Sequence, residues 1–171
     1  MTLPILVTCA SKHGATAEIA ERIGVTLRAE GLAVAVIPVD QAPDPASYSA
    51  VILGSAVYAG QWMKPAAEFL TRHEAALSVR PVWLFSTGPT GEGDPVELMK
   101  GFRFPTALQP IADRIHPRDT AFFHGVLDMH DLNFAEKLLV KGIKAPIGDF
   151  RDWAMIENWA KAIAAALRQT V

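Results

Sequence analysis

Five short, nearly continuous apolar runs punctuate the chain, at 3–8, 32–37, 50–54, 81–86 and 120–125. Val, Ile, Leu and Phe dominate them, as expected of parallel strands covered on both faces. Between most of them the apolar residues switch to a helical period. The first helical stretch covers 15–30, with Ile19, Ala20, Ile23 and Leu27 on one face and Gly31 as its stop. The second covers 64–77, with Pro65 tolerated near its start. A weaker one lies between 95 and 112, broken by Pro105 and Pro110. A short stretch at 133–143 follows the fifth run. A final helix at 153–168 carries Ile156, Trp159, Ala160, Ile163 and Leu167 on one face.

Alternating strands and helices predict an α/β protein with a doubly wound, five-stranded parallel sheet. The expected strand order is 2-1-3-4-5, with ligands at the carboxyl ends of the strands beside the switch point between strands 1 and 3. No linker, repeat or low-complexity tract divides the 171 residues, so one domain over 1–171 is expected.

Composition narrows this picture little. Half the residues are apolar and 20% are charged, which excludes a disordered chain. A net charge of −2 favours neither a nucleic-acid binder nor a strongly acidic surface. The one cysteine, Cys9, excludes an internal disulfide and suits a reducing compartment. No apolar run approaches the ~20 residues that span a bilayer, and no leader pattern opens the chain. A cytoplasmic protein is expected, with contact at the inner face of the cell membrane as an extension of that reading.

The chemistry concentrates in Ser11-Lys12-His13-Gly14-Ala15-Thr16, between the first strand and the first helix. Backbone N–H groups at a helix start and the positive end of its dipole favour an anion there. Ser11 and Thr16 add hydroxyls, and Gly14 permits a left-handed backbone. The loop reads as a phosphate site.

Two more loops end strands 3 and 4. They are Gly54-Ser55-Ala56-Val57-Tyr58-Ala59-Gly60-Gln61-Trp62 and Ser86-Thr87-Gly88-Pro89-Thr90-Gly91-Glu92. Rich in glycine and small polar residues, they offer backbone groups to the edge of a planar heterocycle. Tyr58 and Trp62 are placed to stack on its face or to close the pocket. One phosphate and one large flat ring are the expected ligand parts. The GxGxxG of a dinucleotide fold and the GxxxxGK[ST] of a P-loop are both missing. Thr8-Cys9-Ala10 lacks the acids of a phosphoacceptor domain.

The phosphate loop resembles the S/T-x-x-G-x-T loop that holds the FMN phosphate in flavodoxins, and the likeness extends along the chain. More narrowly, the chain resembles the branch that includes menaquinone-dependent protoporphyrinogen oxidase. Gly54–Gly60, the segment Phe122-Phe123-His124-Gly125-Val126-Leu127 and the late Asp152-Trp153 carry that narrower likeness. It implies FMN, a redox reaction of haem biosynthesis, a porphyrinogen donor and a quinone acceptor. It also implies that Ser11, Lys12, His13, Gly14, Ala15 and Thr16 hold the phosphate. Ser55, Ala56, Val57, Tyr58, Ala59, Gly60, Ser86, Thr87, Gly88, Pro89, Thr90 and Gly91 would then hold the ring. The flavin carries the chemistry, so no catalytic side chain is named. An electron carrier docking on redox partners, and a general quinone reductase, are the alternatives.

Two departures from a plain flavodoxin stand out. Short electron carriers of that family are strongly acidic, and this chain is near neutral. The stretch 128–151 is also unlike them, and it places Lys137, Lys141 and Lys144 on one helical face. That face reads foremost as solvated, with an anionic membrane surface as the alternative partner. The remaining features have plain readings. Cys9 packs as a small buried residue, His13 is a loop residue without an acidic neighbour in sequence, and Trp153 and Trp159 anchor the last helix. His124 and His130 lack metal-ligand spacing, so no metal is expected.

Overall fold

The computed structural model describes residues 2–169. Parallel strands β1 (Ile5–Ala10), β2 (Val34–Pro38) and β3 (Ala50–Tyr58) open the sheet. A two-residue strand, β4 (Gln61–Trp62), folds back antiparallel on β3. β5 (Val82–Thr87) and β6 (Asp119–Phe123) complete it. The order is β2-β1-β3-β5-β6, with every pair on that path parallel. This is the expected order, the hairpin β4 having entered the numbering.

Helices cover both faces. α1 (Ala15–Ala29) and the last helix, α7 (Trp153–Gln169), pack on one side around Val7, Ile23, Phe85 and Ile163. α2 (Lys64–Arg72), α3 (Glu74–Ser78) and α5 (Gln109–Ile115) supply the other core, around Leu6, Leu53, Leu70 and Leu84. A short α4 (Pro95–Leu98) lies between β5 and α5. Strand residues alternate between the two cores, as the two-residue period of a strand requires. Trp153 and Trp159 pack against the α1–α7 core, as their anchoring role demanded. Gly54 is needed where β3 faces β5, because a Cβ there would come within 2.2 Å of the Phe85 ring.

Two expectations shift in detail. The helix at 64–77 is two helices, parted at His73 where φ is −105° and ψ is 21°. The stretch at 95–112 is broken as expected, and more finely: α4 ends at Leu98, ahead of Lys100 and Gly101 with positive φ, and Pro110 sits in the first turn of α5.

After β6 the chain makes an excursion. The antiparallel pair β7 (Val126–Leu127) and β8 (Gly148–Asp149) forms its neck. Between them lies α6 (Phe134–Ile143), started by a capping box in which Asn133 and Glu136 satisfy each other's backbone N–H.

Candidate functional site

The three loops follow β1, β3 and β5, which are neighbours in the sheet, so their carboxyl ends share one edge. Register sharpens this. Ala10 lies opposite Ser55, Ser55 opposite Ser86, and Ala56 opposite Thr87.

The first loop has the geometry of an anion cradle. Gly14 has φ +89°, and the side where a Cβ would project is open. Ser11 Oγ accepts the Gly14 N–H at 3.1 Å and shapes the turn. The first helical bond runs from Glu18 N–H to the Gly14 carbonyl. The amides of Ala15, Thr16 and Ala17 therefore have no acceptor inside the helix. Thr16 is buried, and its hydroxyl lies 2.7 Å from that of Thr87. This bond ties the loop after β1 to the end of β5 across 71 residues. A cleft of about 380 Å³ runs along the other flank of the loop, from Ser11 and Gly14 to Val39, Asp40 and Met63.

The second loop is a tight hairpin. Val57 pairs with Trp62 and Tyr58 with Gln61, so Ala59 and Gly60 form a two-residue turn. Both have positive φ, +51° and +73°, as a type I′ turn requires. Ala59 holds a left-handed conformation that costs an L-residue about 1 kcal/mol. Tyr58 stays exposed, with Lys12 Nζ 5.6 Å from its ring centroid. Partial burial raises the Tyr58 phenol above its ordinary pKa, and the nearby Lys12 charge opposes that shift.

Trp62 corrects the stacking expectation. It is buried, its indole N–H donates to Ser86 Oγ at 2.8 Å, and its ring meets Phe104 edge-on at 5.1 Å. It belongs to the core. Ser55 is likewise engaged internally, donating to the Ala56 carbonyl and accepting the Met63 N–H.

The third loop is pinned to the strand beside it. Gly88 N–H donates to the Phe123 carbonyl and Gly125 N–H to that of Pro89. The buried His124 faces the Pro89 carbonyl with Nδ1 at 3.1 Å and the Gly93 carbonyl with Nε2 at 2.6 Å. That explains His124 without a metal. Among the described residues no group of three or more His, Cys, Asp or Glu is placed to hold one.

Sequence reasoning missed the approach of α6 to this edge. Lys12 Nζ donates to Glu136 Oε2 at 2.8 Å, and His13 Nε2 lies 3.7 Å from the same oxygen. His13 therefore has an acidic neighbour, supplied from far along the chain. The mutual hydrogen bond lowers the Glu136 carboxyl and raises the Lys12 ammonium from their ordinary pKa values. The excursion leaves from beyond β6 and touches the loop after β1. It thus crosses the ends of β5 and β3, three strand spacings or about 14 Å. The capping box at 133–136 was readable in the sequence; a partner 124 positions away was not.

The open backbone at Gly14 and the unpaired helix-start amides suit an oxygen-rich anion. Residues 6–152 match the family described as Flavodoxin domain. No curated protein sequence matches the chain. Solved structures do. A flavodoxin from the domain Archaea aligns over 96% of this chain and 99% of its own, with 13% identity and a TM-score of 0.66. A flavodoxin from Streptococcus pneumoniae TIGR4 aligns over 95% and 98%, with 14% identity and a TM-score of 0.59. Rubredoxin oxygen:oxidoreductase from Desulfovibrio gigas aligns over 98% of this chain and 37% of its own, with 14% identity and a TM-score of 0.63. At these identities the likeness is one of fold.

Proposed function

As the chain belongs to the flavodoxin domain family, we propose that it is an FMN-dependent oxidoreductase working on a flat, apolar substrate under the α6 excursion. Family membership implies FMN as the cofactor and a role in redox chemistry or electron transfer. The observation that carries the finer reading is the excursion itself. α6 lies across the sheet edge and bonds the phosphate loop through Glu136 and Lys12. It adds a wall to one side of the ring site.

On this reading the amides of Ala15, Thr16 and Ala17 and the Ser11 and Thr16 hydroxyls bind the phosphate, with Lys12 and His13 as flanking cations. Backbone groups of Val57 to Gly60 and of Gly88 to Gly91, beyond the buried strand ends, hold the ring, and Tyr58 stacks on it. The bound flavin supplies one- and two-electron transfer. The protein's part is to orient the ring, to set the hydrogen bonding at its edge through the Ala59–Gly60 turn, and to limit access. The resemblance to menaquinone-dependent protoporphyrinogen oxidase makes a porphyrinogen the proposed donor and a quinone the acceptor. A quinone acceptor places the work at a membrane surface, to which Lys137, Lys141 and Lys144 offer cations.

A carrier reading has its own support. Flavodoxins align over nearly their whole length with this chain. A strong acidic docking patch would favour a carrier, and the near-neutral net charge of −2 weighs against it. Flavin fluorescence tests the common ground: a chain that does not quench added FMN has no flavin function. Anaerobic mixing then separates the readings. Reduction of the bound flavin by protoporphyrinogen and reoxidation by a menaquinone analogue supports the oxidase. Reduction only by a flavodoxin reductase supports the carrier.

A further inference from the structure

Helix α6 is inside out. Phe134 is 77% exposed and Leu139 and Ile143 are each 65% exposed, with Leu138 and the following Ile147 also open. At roughly 100° per residue, Phe134, Leu138, Leu139 and Ile143 cover half the helix circumference. The half turned toward the protein carries Glu136, Lys137 and Val140, all partly buried. A helix of a water-soluble surface shows the reverse arrangement. Ten residues with a capping box at the start make a well-formed helix, so the exposed face is a built feature.

We propose that this face inserts into an anionic lipid surface and seats the protein with its loop edge toward the bilayer. Charge selects lipid as the occupant. Lys141 borders the apolar half, Lys137 lies further round on the inward side, and Lys144 follows at the helix end. Two of the acids around the helix are paired within the protein: Glu136 binds Lys12 and Asp149 holds Arg151. Apolar side chains flanked by lysines are the pattern of an interfacial helix, which sinks its apolar face to the acyl boundary and keeps its cations at the phosphates. A second copy of the chain would instead bring the same three lysines against this face. Among the described residues no helix is long and apolar enough to cross a membrane, so the attachment is to one leaflet. Because Glu136 sits on the phosphate loop, the docked helix also brings the proposed flavin site to the lipid boundary. The attachment itself depends on α6 and does not require the redox reading.

The test is sedimentation of the full chain with vesicles of phosphatidylcholine, with and without phosphatidylglycerol. The wild type is expected to bind the anionic vesicles and to be released by salt. The variant Leu138→Ser, Leu139→Ser, Ile143→Ser should bind on the order of a hundredfold more weakly. Lys137→Gln, Lys141→Gln, Lys144→Gln should lose a similar factor on anionic vesicles only. The three apolar side chains are exposed, so circular dichroism and thermal midpoint should stay at wild-type values. A wild type that remains in solution with anionic vesicles overturns the proposal. So does a serine variant that binds as well as wild type, or a wild-type dimer that the serine variant converts to a monomer. FMN affinity, read on the same samples, separates the outcomes. Vesicle binding without FMN binding sinks the redox reading alone.

Discussion

Lys12 and Glu136, 124 positions apart, meet at 2.8 Å where helix α6 touches the loop after β1. The contact sets a carboxylate beside a cradle of helix-start amides that favours an anion. A phosphate held there, as proposed above, would compete with Glu136 for Lys12 and be repelled by the Glu136 charge.

Glu136→Gln should therefore raise FMN affinity by a few-fold while leaving riboflavin, which lacks the phosphate, unchanged. Its solvent exposure keeps the effect modest. The pH dependence follows from the lowered Glu136 pKa and the raised Lys12 pKa. Glu136 stays ionised at and above the ordinary carboxylate range, and the ion pair is lost as pH falls through the lowered value. The gap between variant and wild type should thus be full at neutral pH and close in acid. Fluorescence titration of both flavins across that range checks it. Equal gains for FMN and riboflavin would mean that Glu136 acts only by holding α6 in place.

Thr16 and Thr87 share one buried hydrogen bond of 2.7 Å. Replacing either by valine leaves the other hydroxyl buried and unpaired, a loss of about 1–3 kcal/mol. Replacing both removes the pair together and should cost less than the sum of the singles. Urea unfolding of the three variants measures the coupling. The double variant should also bind FMN more weakly than its stability predicts, because the proposed phosphate site loses the Thr16 hydroxyl and the tether to Thr87.

Burial pushes the Cys9 thiol up to about 12, with the Glu21 charge adding to the shift. A thiol that high is almost fully protonated at pH 8 and is a poor nucleophile. The folded protein should react with a disulfide reagent many times more slowly than the urea-unfolded chain. Rapid labelling of the native protein would show that the β1 end opens frequently.

The five strands, their order and the three-loop edge were legible because each rests on a local pattern: an apolar run, a helical period, a glycine-rich turn. The fate of Trp62 was not. Its apolar ring and indole N–H suit a ligand and a core equally, and only the Ser86 hydroxyl and the Phe104 ring, 24 and 42 positions away, select the core. The lysines of α6 were legible as a stripe. Their meaning changed once Glu136 turned toward Lys12 and rotated Phe134, Leu138 and Ile143 into solvent. That rotation is a tertiary choice which periodicity alone does not encode.

His124 decides how firmly the third loop is held. Its two ring nitrogens face the carbonyls of Pro89 and Gly93, and Gly125 N–H reinforces the first of these. Each neutral tautomer can donate to one carbonyl at a time. Alanine here removes both contacts and leaves the loop at 89–93 held by backbone bonds alone. The strand β6, which ends one residue before His124, is secured separately through its pairing with β5. His124→Ala should therefore speed hydrogen exchange in the 88–93 segment while exchange in β5 and β6 stays slow. FMN affinity should fall by about tenfold, the loss of one to two hydrogen bonds' worth of loop order. A fall in global stability with no local change in exchange would place the role of His124 in the core rather than in the loop.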